Sequence, residues 1–217
     1  MFRETNKSRH RYLRSIKVRI VSNLAISMLT KKDWRTSLLG LRNQLSHSKV
    51  MMEQLALNVL SELKLLKPRS IGAYWPIRSE PNFNEALKQW AWESEIVLYL
   101  PETRVEQMVY RRWEPDDVLQ KDRAGIWCAT GEEAKTPPDL ILAPCVGYSN
   151  SCYRLGYGGG FFDRYLSAYS SLKPIVIGVC FDQLLVPDDL FEVHDAKLDL
   201  LITERKVLRN WCSSKRI

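Results

Sequence analysis

The sequence predicts an α/β fold, a single domain in which a mainly parallel sheet is flanked by helices on both faces. Three observations predict it. Segments of strand character alternate with segments of helical periodicity along most of the 217 residues. Most of the strand-like segments are unbroken apolar runs, such as 139–144 and 174–181, and strands buried on both faces read that way. A loop with four glycines in five positions follows one such run, and open α/β sheets bind ligands at the carboxyl ends of their strands.

The elements follow in order from residue 31. Positions 31–44 read as a helix with Trp34, Leu38, Leu39 and Leu41 on its apolar side and Lys31, Lys32, Arg35 and Arg42 as its basic positions. Lys31 and Arg35 lie four apart and so share a face. Ser48 is placed to cap a second helix, Lys49–Leu66, whose Met52, Leu55, Ala56, Val59, Leu60, Leu63 and Leu66 form a core stripe, and Pro68 ends it. A strand at 70–75 closes at Pro76, and the loop beyond it leads to a helix at Asn84–Glu93. A second strand at 95–100 is expected to stop at Pro101, and 107–113 alternates as a third. Residues 116–138 are polar and irregular. The apolar run 139–144 stops at Pro144, and a polar loop, 145–153, leads into the glycines. Helical spacing resumes at Phe162, Tyr165, Leu166 and Tyr169. A buried strand at 174–181, a short helix or turn at 184–190 and a strand at 198–203 complete the body.

Charge divides the chain unevenly. Residues 1–30 carry seven Lys/Arg against Glu4 alone, a net +6, which leaves +1 for the other 187 residues. The reading is therefore a basic N-terminal extension at 1–30, an α/β domain at 31–204 and a polar C-terminal tail at 205–217. The extension fits an Arg-rich targeting sequence, mitochondrial in that case, a nucleic-acid or membrane-surface patch, or a dispensable leader upstream of Met28. The last is preferred, because charge runs are usually solvated. No apolar run approaches the ~18 residues of a membrane span. Five cysteines, odd in number and without C-x-x-C spacing, argue against a disulfide framework or zinc site. They point to a reducing compartment, the cytoplasm.

The chemistry concentrates at Arg154-Leu155-Gly156-Tyr157-Gly158-Gly159-Gly160-Phe161-Phe162-Asp163. Glycines let backbone N–H groups approach an anion, a helix start offers unpaired N–H groups and a favourable dipole, and arginine adds a planar fork for phosphate oxygens. A plain strand-to-helix turn needs only one glycine. No Lys-Ser or Lys-Thr follows, so this is not a Walker A loop. Half of a dinucleotide fingerprint is present, with Asp182 near the ribose-acid spacing. Asp163 beside a polyphosphate would be repelled by about 4 kcal/mol per charge pair at 4 Å, unless Mg²⁺ lies between them. A first-turn carboxylate with no ligand accounts for it nearly as well.

Pro144 followed by Arg154-Leu155-Gly156-x-Gly158-x-Gly160-Phe161-Phe162-Asp163-Arg164-x-Leu166 resembles the signature of the 5-formyltetrahydrofolate cyclo-ligases, also called methenyltetrahydrofolate synthetases. The likeness extends more loosely over 31–204. It implies ATP-dependent conversion of 5-formyltetrahydrofolate to 5,10-methenyltetrahydrofolate, with ATP and a reduced folate as small-molecule partners and Mg²⁺ as the metal. Lys31 and Arg35 match the family's N-terminal ATP-site pair, with Lys32 the counterpart in a register one residue on. The loop from Arg154 to Phe162 would hold the phosphates, with Arg154 and Lys31 acting on the transferred group. Trp75 and Glu80 match folate-contacting positions, and Asp163 and Asp195 match metal-binding ones. His194 is left without a role.

The chain also departs from the family pattern. Phe162 stands where a tyrosine is common, Ser149 and Cys152 stand near a usual aspartate and glycine, and Gly125-Ile126 precedes Trp127-Cys128 rather than Glu-Pro. Two other readings stay open: a dinucleotide-dependent oxidoreductase, and a nucleic-acid-binding protein acting through residues 1–30.

Overall fold

A computed structural model describes residues 29–169, 171–192 and 195–210. Most of the basic arm, His194, and the end of the tail with Cys212 lie outside the described residues. Helix α1 (Lys31–Leu45) begins at Thr30, whose hydroxyl accepts from the Asp33 N–H while its own N–H donates to the Asp33 carboxylate at 2.9 Å. Two first-turn donors are satisfied by this reciprocal cap. Ser48 accepts from the Met51 N–H and starts α2 (Lys49–Leu66). That helix stops where Lys67 turns left-handed (φ 48°) before Pro68.

The remaining elements alternate as expected. Strand β1 (Ser70–Gly72) leads to α3 (Asn84–Glu93), and β2 (Val97–Thr103) turns back into β3 (Met108–Arg112). A small hairpin, β4 (Gln120–Lys121) and β5 (Trp127–Cys128), interrupts the polar stretch before β6 (Leu140–Pro144). Next come a second hairpin, β7 (Gly147–Tyr148) and β8 (Arg154–Leu155), and helix α4 (Phe161–Ala168). Strands β9 (Ile175–Val179), β10 (Leu200–Ile202) and β11 (Val207–Arg209) finish the chain.

Seven strands form one sheet in the order β11-β10-β9-β6-β1-β2-β3. The five inner strands are parallel and only the two outermost pairs, β10–β11 and β2–β3, are antiparallel. Helices cover both faces. Leu140 and Leu142 join the large core that takes Leu38, Leu55, Val59, Leu63 and Leu87 from α1, α2 and α3. Ile141, between them, joins a separate cluster with Met108, Tyr110 and Tyr165 of α4. Successive strand residues point to opposite faces, so the two clusters sit on opposite sides of the sheet. Leu142 is fully buried in the central strand. Leu142→Ala is expected to lower the unfolding free energy by about 3 kcal/mol, the scale of a cavity-forming substitution, read as a lower urea midpoint at unchanged slope.

Several boundaries differ from the sequence reading. Pro101 does not end β2 but lies within it, opposite Tyr110. The Tyr110 carbonyl accepts from the Ala134 N–H, facing away from β2, so that pair exchanges no hydrogen bond and proline sacrifices none. The polar tail expected from residue 205 begins later, because Val207–Arg209 pairs with β10 after a short turn at 203–206. Three residues are too few to show periodicity in a sequence. Segment 145–153 is not an exposed polar loop; Cys145, Val146, Tyr148 and Ser149 are fully buried around the β7–β8 hairpin. Cys152 takes φ 63° there, at the position near which a glycine was expected. The strand read as 70–75 keeps its ladder only to Gly72.

Among the described residues, no helix is long and apolar enough to cross a membrane. All four described cysteines are free and buried.

Candidate active site

Strands β1 and β6 are neighbours, but the chain leaves them in opposite directions, β1 toward β2 and β6 toward β9. Such a switch point opens a crevice beyond the strand ends. A cavity of about 690 Å³ lies there, bordered by Tyr74 and Trp75 after β1 and by Pro144 at the end of β6. It gathers segments far apart in the chain: Lys31 and Arg35 of α1, the turn 77–80, the glycine loop, the first turn of α4, and Phe191 with Asp195.

The cations on one side are already engaged. The Lys31 Nζ lies 2.6 Å from the Asp195 carboxylate and 5.7 Å from the centre of the Phe191 ring. The Arg35 Nε donates to the Gly156 carbonyl at 2.7 Å, which fixes the base of the glycine loop. The Arg154 guanidinium lies over the Phe162 ring at 5.0 Å and meets the Asp163 carboxylate at 3.3 Å. Phe162, standing where the family often has tyrosine, thus provides a platform for the arginine.

Two glycines do what their side-chain freedom allows. Gly158 (φ 95°) and Gly160 (φ 66°) adopt left-handed backbone, and Gly160 is the N-cap of α4. No side chain caps that helix, so its first N–H groups are left for an anion. The loop departs from the expected plan in one respect. The stretch between β6 and its glycines, read as a polar loop, is the β7–β8 hairpin.

Asp163 and Asp195 both line the cavity, the former on an exposed side chain. Among the described residues, no group of three or more His, Cys, Asp or Glu could hold a metal ion. Mg²⁺ commonly takes one or two carboxylates, with phosphate oxygens and water completing six positions. The residues present therefore fit a magnesium ion that arrives with a polyphosphate, and not a preformed protein cage.

The other side of the cavity is aromatic and acidic. Trp75 packs edge-to-face on Trp113 with centroids 6.4 Å apart. Glu80 is only 5% exposed, and its Oε2 accepts from the Ile77 N–H at 2.9 Å. Burial pushes its carboxyl above the usual carboxylate range, opposed by that N–H and by the nearby Arg42 charge. The Tyr157 ring turns to this side. Its hydroxyl is bonded by Arg42, and burial pushes its pKa up to about 12.

Two expected residues stand apart. Lys32 is exposed and does not border the cavity, so Lys31 is the register that faces it. Asp182, the candidate ribose acid, accepts from the Tyr148 hydroxyl and lies 3.3 Å from Lys206, away from the cavity. The sequence reading placed Arg42 among the basic positions of α1 but missed that it is fully buried beneath the site. The signal was present, because 38, 42 and 45 are one helical stripe and its middle member is charged. It also missed the β4–β5 tip, where Asp122, Ala124, Gly125 and Ile126 border the cavity.

Comparisons with known proteins bear on the family and the fold. The "Probable 5-formyltetrahydrofolate cyclo-ligase" of Schizosaccharomyces pombe is 31% identical over 117 residues, covering 47% of this chain and 57% of that protein. The 5-formyltetrahydrofolate cyclo-ligase of Mycolicibacterium smegmatis is 29% identical over 197 residues, covering 83% of this chain and 97% of that one. The solution structure of Aquifex aeolicus 5,10-methenyltetrahydrofolate synthetase superposes with a TM-score of 0.73 at 25% identity, over 86% of this chain and 96% of that one. The sequence pattern of the 5-formyltetrahydrofolate cyclo-ligase family matches residues 27–204, and this chain belongs to that family.

Proposed function

We propose that the protein converts 5-formyltetrahydrofolate to 5,10-methenyltetrahydrofolate at the expense of ATP, releasing ADP and phosphate. The observation that carries this reading is one cavity with two chemically distinct sides. Lys31, Arg35, Arg154 and the glycine loop make one side cationic, while Trp75 and Glu80 make the other aromatic and acidic. The first suits a triphosphate, and the second suits a flat pterin with ring N–H donors.

In this mechanism the formyl oxygen takes the γ-phosphoryl group of ATP. N10 then closes on the activated carbon and gives up its proton to solvent, and the phosphate leaves with the former formyl oxygen. Such a transfer depends on positioning and charge neutralisation more than on a protein nucleophile. Arg154 and the first N–H groups of α4 orient and neutralise the phosphoryl oxygens. Lys31 exchanges Asp195 for the γ-phosphate, and Arg35 holds the loop by its Gly156 bond. Loop residues 155–162 enclose the polyphosphate. Trp75 and Glu80 hold the pterin so that its formyl oxygen faces that phosphate. Mg²⁺, held by Asp163 and Asp195, supplies charge compensation when bound. The activity belongs to one-carbon metabolism, and the cytoplasm is the compartment we propose; the four described cysteines, free and buried, support a reducing one.

The test is direct. Purified protein given 5-formyltetrahydrofolate, ATP and Mg²⁺ should show a rise in methenyl absorbance that disappears when ATP is omitted. No ATP-dependent rise would overturn the assignment.

A further inference from the structure

We propose that Arg42 is a positioning residue for the folate end of the cavity, holding the Glu80 carboxylate and the Tyr157 hydroxyl in one arrangement. The inference rests on the folate reading of Trp75 and Glu80 and extends it to a side chain that does not itself line the cavity.

The guanidinium is fully buried on a stripe shared with Leu38 and Leu45, where an apolar residue would pack without loss of hydration. Burying a charge is strongly unfavourable unless it is well paired, so stability alone is a poor reason for arginine here. Its bonds reach three separate segments. Nη1 donates to the Cys145 carbonyl at 3.2 Å, just past β6. Nη2 donates to the Arg78 carbonyl at 2.8 Å and to the Tyr157 hydroxyl. Only a planar fork can serve all of these at once.

The Arg78 contact matters because Arg78 and Ser79 both hold left-handed backbone, φ 47° and 66°. Non-glycine residues stay in that region only when their surroundings over-determine them. The next residue of α1 helps, since the Ser79 hydroxyl donates to the Asn43 side chain at 2.7 Å. The turn so pinned is the one that delivers Glu80. Arg42 Nη1 stands 4.0 Å from Glu80 Oε1, near enough to offset its charge but too far to occupy its lone pairs. The carboxylate's donors are the Ile77 N–H and the Tyr157 hydroxyl, which Arg42 itself holds, so part of its acceptor capacity is left for a ligand.

The groups facing Glu80 are Arg42 from α1, Tyr74 after β1, the Ile77 N–H of its own turn, and Tyr157 and Arg154 from the glycine loop. Of the two arginines, Arg42 has the larger influence on the carboxyl. Without it, the Glu80 carboxyl should titrate at higher pH.

The experiment compares the wild-type protein with Arg42→Lys and Arg42→Met. Two readouts are taken: the titration of the Glu80 carboxyl carbon by NMR without ligand, and the Kd values of 5-formyltetrahydrofolate and ATP by calorimetry. Arg42→Met should move the Glu80 titration upward and weaken folate binding by about 100-fold, the scale of losing a hydrogen bond to a charged group, with ATP affected far less. Arg42→Lys should keep the Glu80 titration near that of wild type, because the charge remains, and still lose folate affinity because the fork is gone. Should Arg42→Met fail to fold, the lysine variant decides by the same separation of titration from affinity. Unchanged Glu80 titration in Arg42→Met, or parallel weakening of both ligands, would overturn the role. A wild-type protein that takes no folate would instead refute the folate reading, while the Glu80 titration still decides whether Arg42 governs that carboxyl.

Discussion

Arg154→Met is expected to lower kcat by about 10³-fold or more, the range seen when an arginine that neutralises a transferred phosphoryl group is removed. The side chain is well placed for such an effect. It is 11% exposed, packs over the Phe162 ring, and lies close against Gly156, where a Cβ would meet its Nη1 at 2.7 Å. Its protein partner in the absence of ligand is the exposed carboxylate of Asp163. A pair whose carboxylate is largely exposed contributes ~1 kcal/mol or less to stability, and methionine keeps apolar contact with the Phe162 ring, so the variant should unfold at nearly the wild-type denaturant concentration. Arg154→Lys should restore part of the rate, because it keeps the charge and loses the two-pronged geometry. Steady-state kcat at saturating folate and ATP, measured with a denaturation curve for each variant, decides the matter. A methionine variant within tenfold of wild type would remove Arg154 from the chemistry.

Glu80→Gln should separate binding from stability. Glutamine keeps an acceptor for the Ile77 N–H but offers pterin donors no charge. The expected loss is about 2–3 kcal/mol, roughly a hundredfold in folate Kd, the value of hydrogen bonds to an ionised group. The stability effect runs the other way. Burial raises the folded carboxyl above its unfolded value, so the neutral form is favoured in the folded state. That contribution is complete below the unfolded pKa and is lost as pH rises through the folded one. Above the folded value the wild type carries a desolvated charge that the variant lacks. The glutamine protein should therefore melt no lower than wild type at pH 8. Folate affinity of the wild type should fall as pH drops through the folded pKa, whereas that of the variant stays flat. Calorimetric Kd values between pH 5 and 8, with melting curves at both ends, test both halves. Unaltered folate binding in the variant would exclude Glu80 from the site.

Helices α2 and α3 were readable to the residue, α2 because its ends are written locally and α3 from its apolar spacing. Ser48, Pro68 and the apolar spacing within each segment need no distant partner. The parallel sheet was readable from apolar runs for a related reason, since only strands covered on both faces can afford them. Strands of two or three residues, β7, β8 and β11, were not. They carry no period, and their existence depends on what lies beside them. Pro101 shows the same limit, because whether proline breaks a strand depends on which side its missing N–H faces.

The candidate site divides in the same way. The sequence alone determined the glycine loop, the helix start behind it and the arginine in front, all within ten residues, while the fold decided that Gly158 and Gly160 are its left-handed positions. Only the tertiary structure decided that Lys31 meets Asp195 across 164 positions, Arg35 meets Gly156 across 121, and Arg42 meets Tyr157 across 115. Those contacts follow from the order in which seven strands lie side by side. Backbone conformation is governed by near neighbours, whereas strand order is settled by burial of the whole core, and no short stretch of chain carries that information.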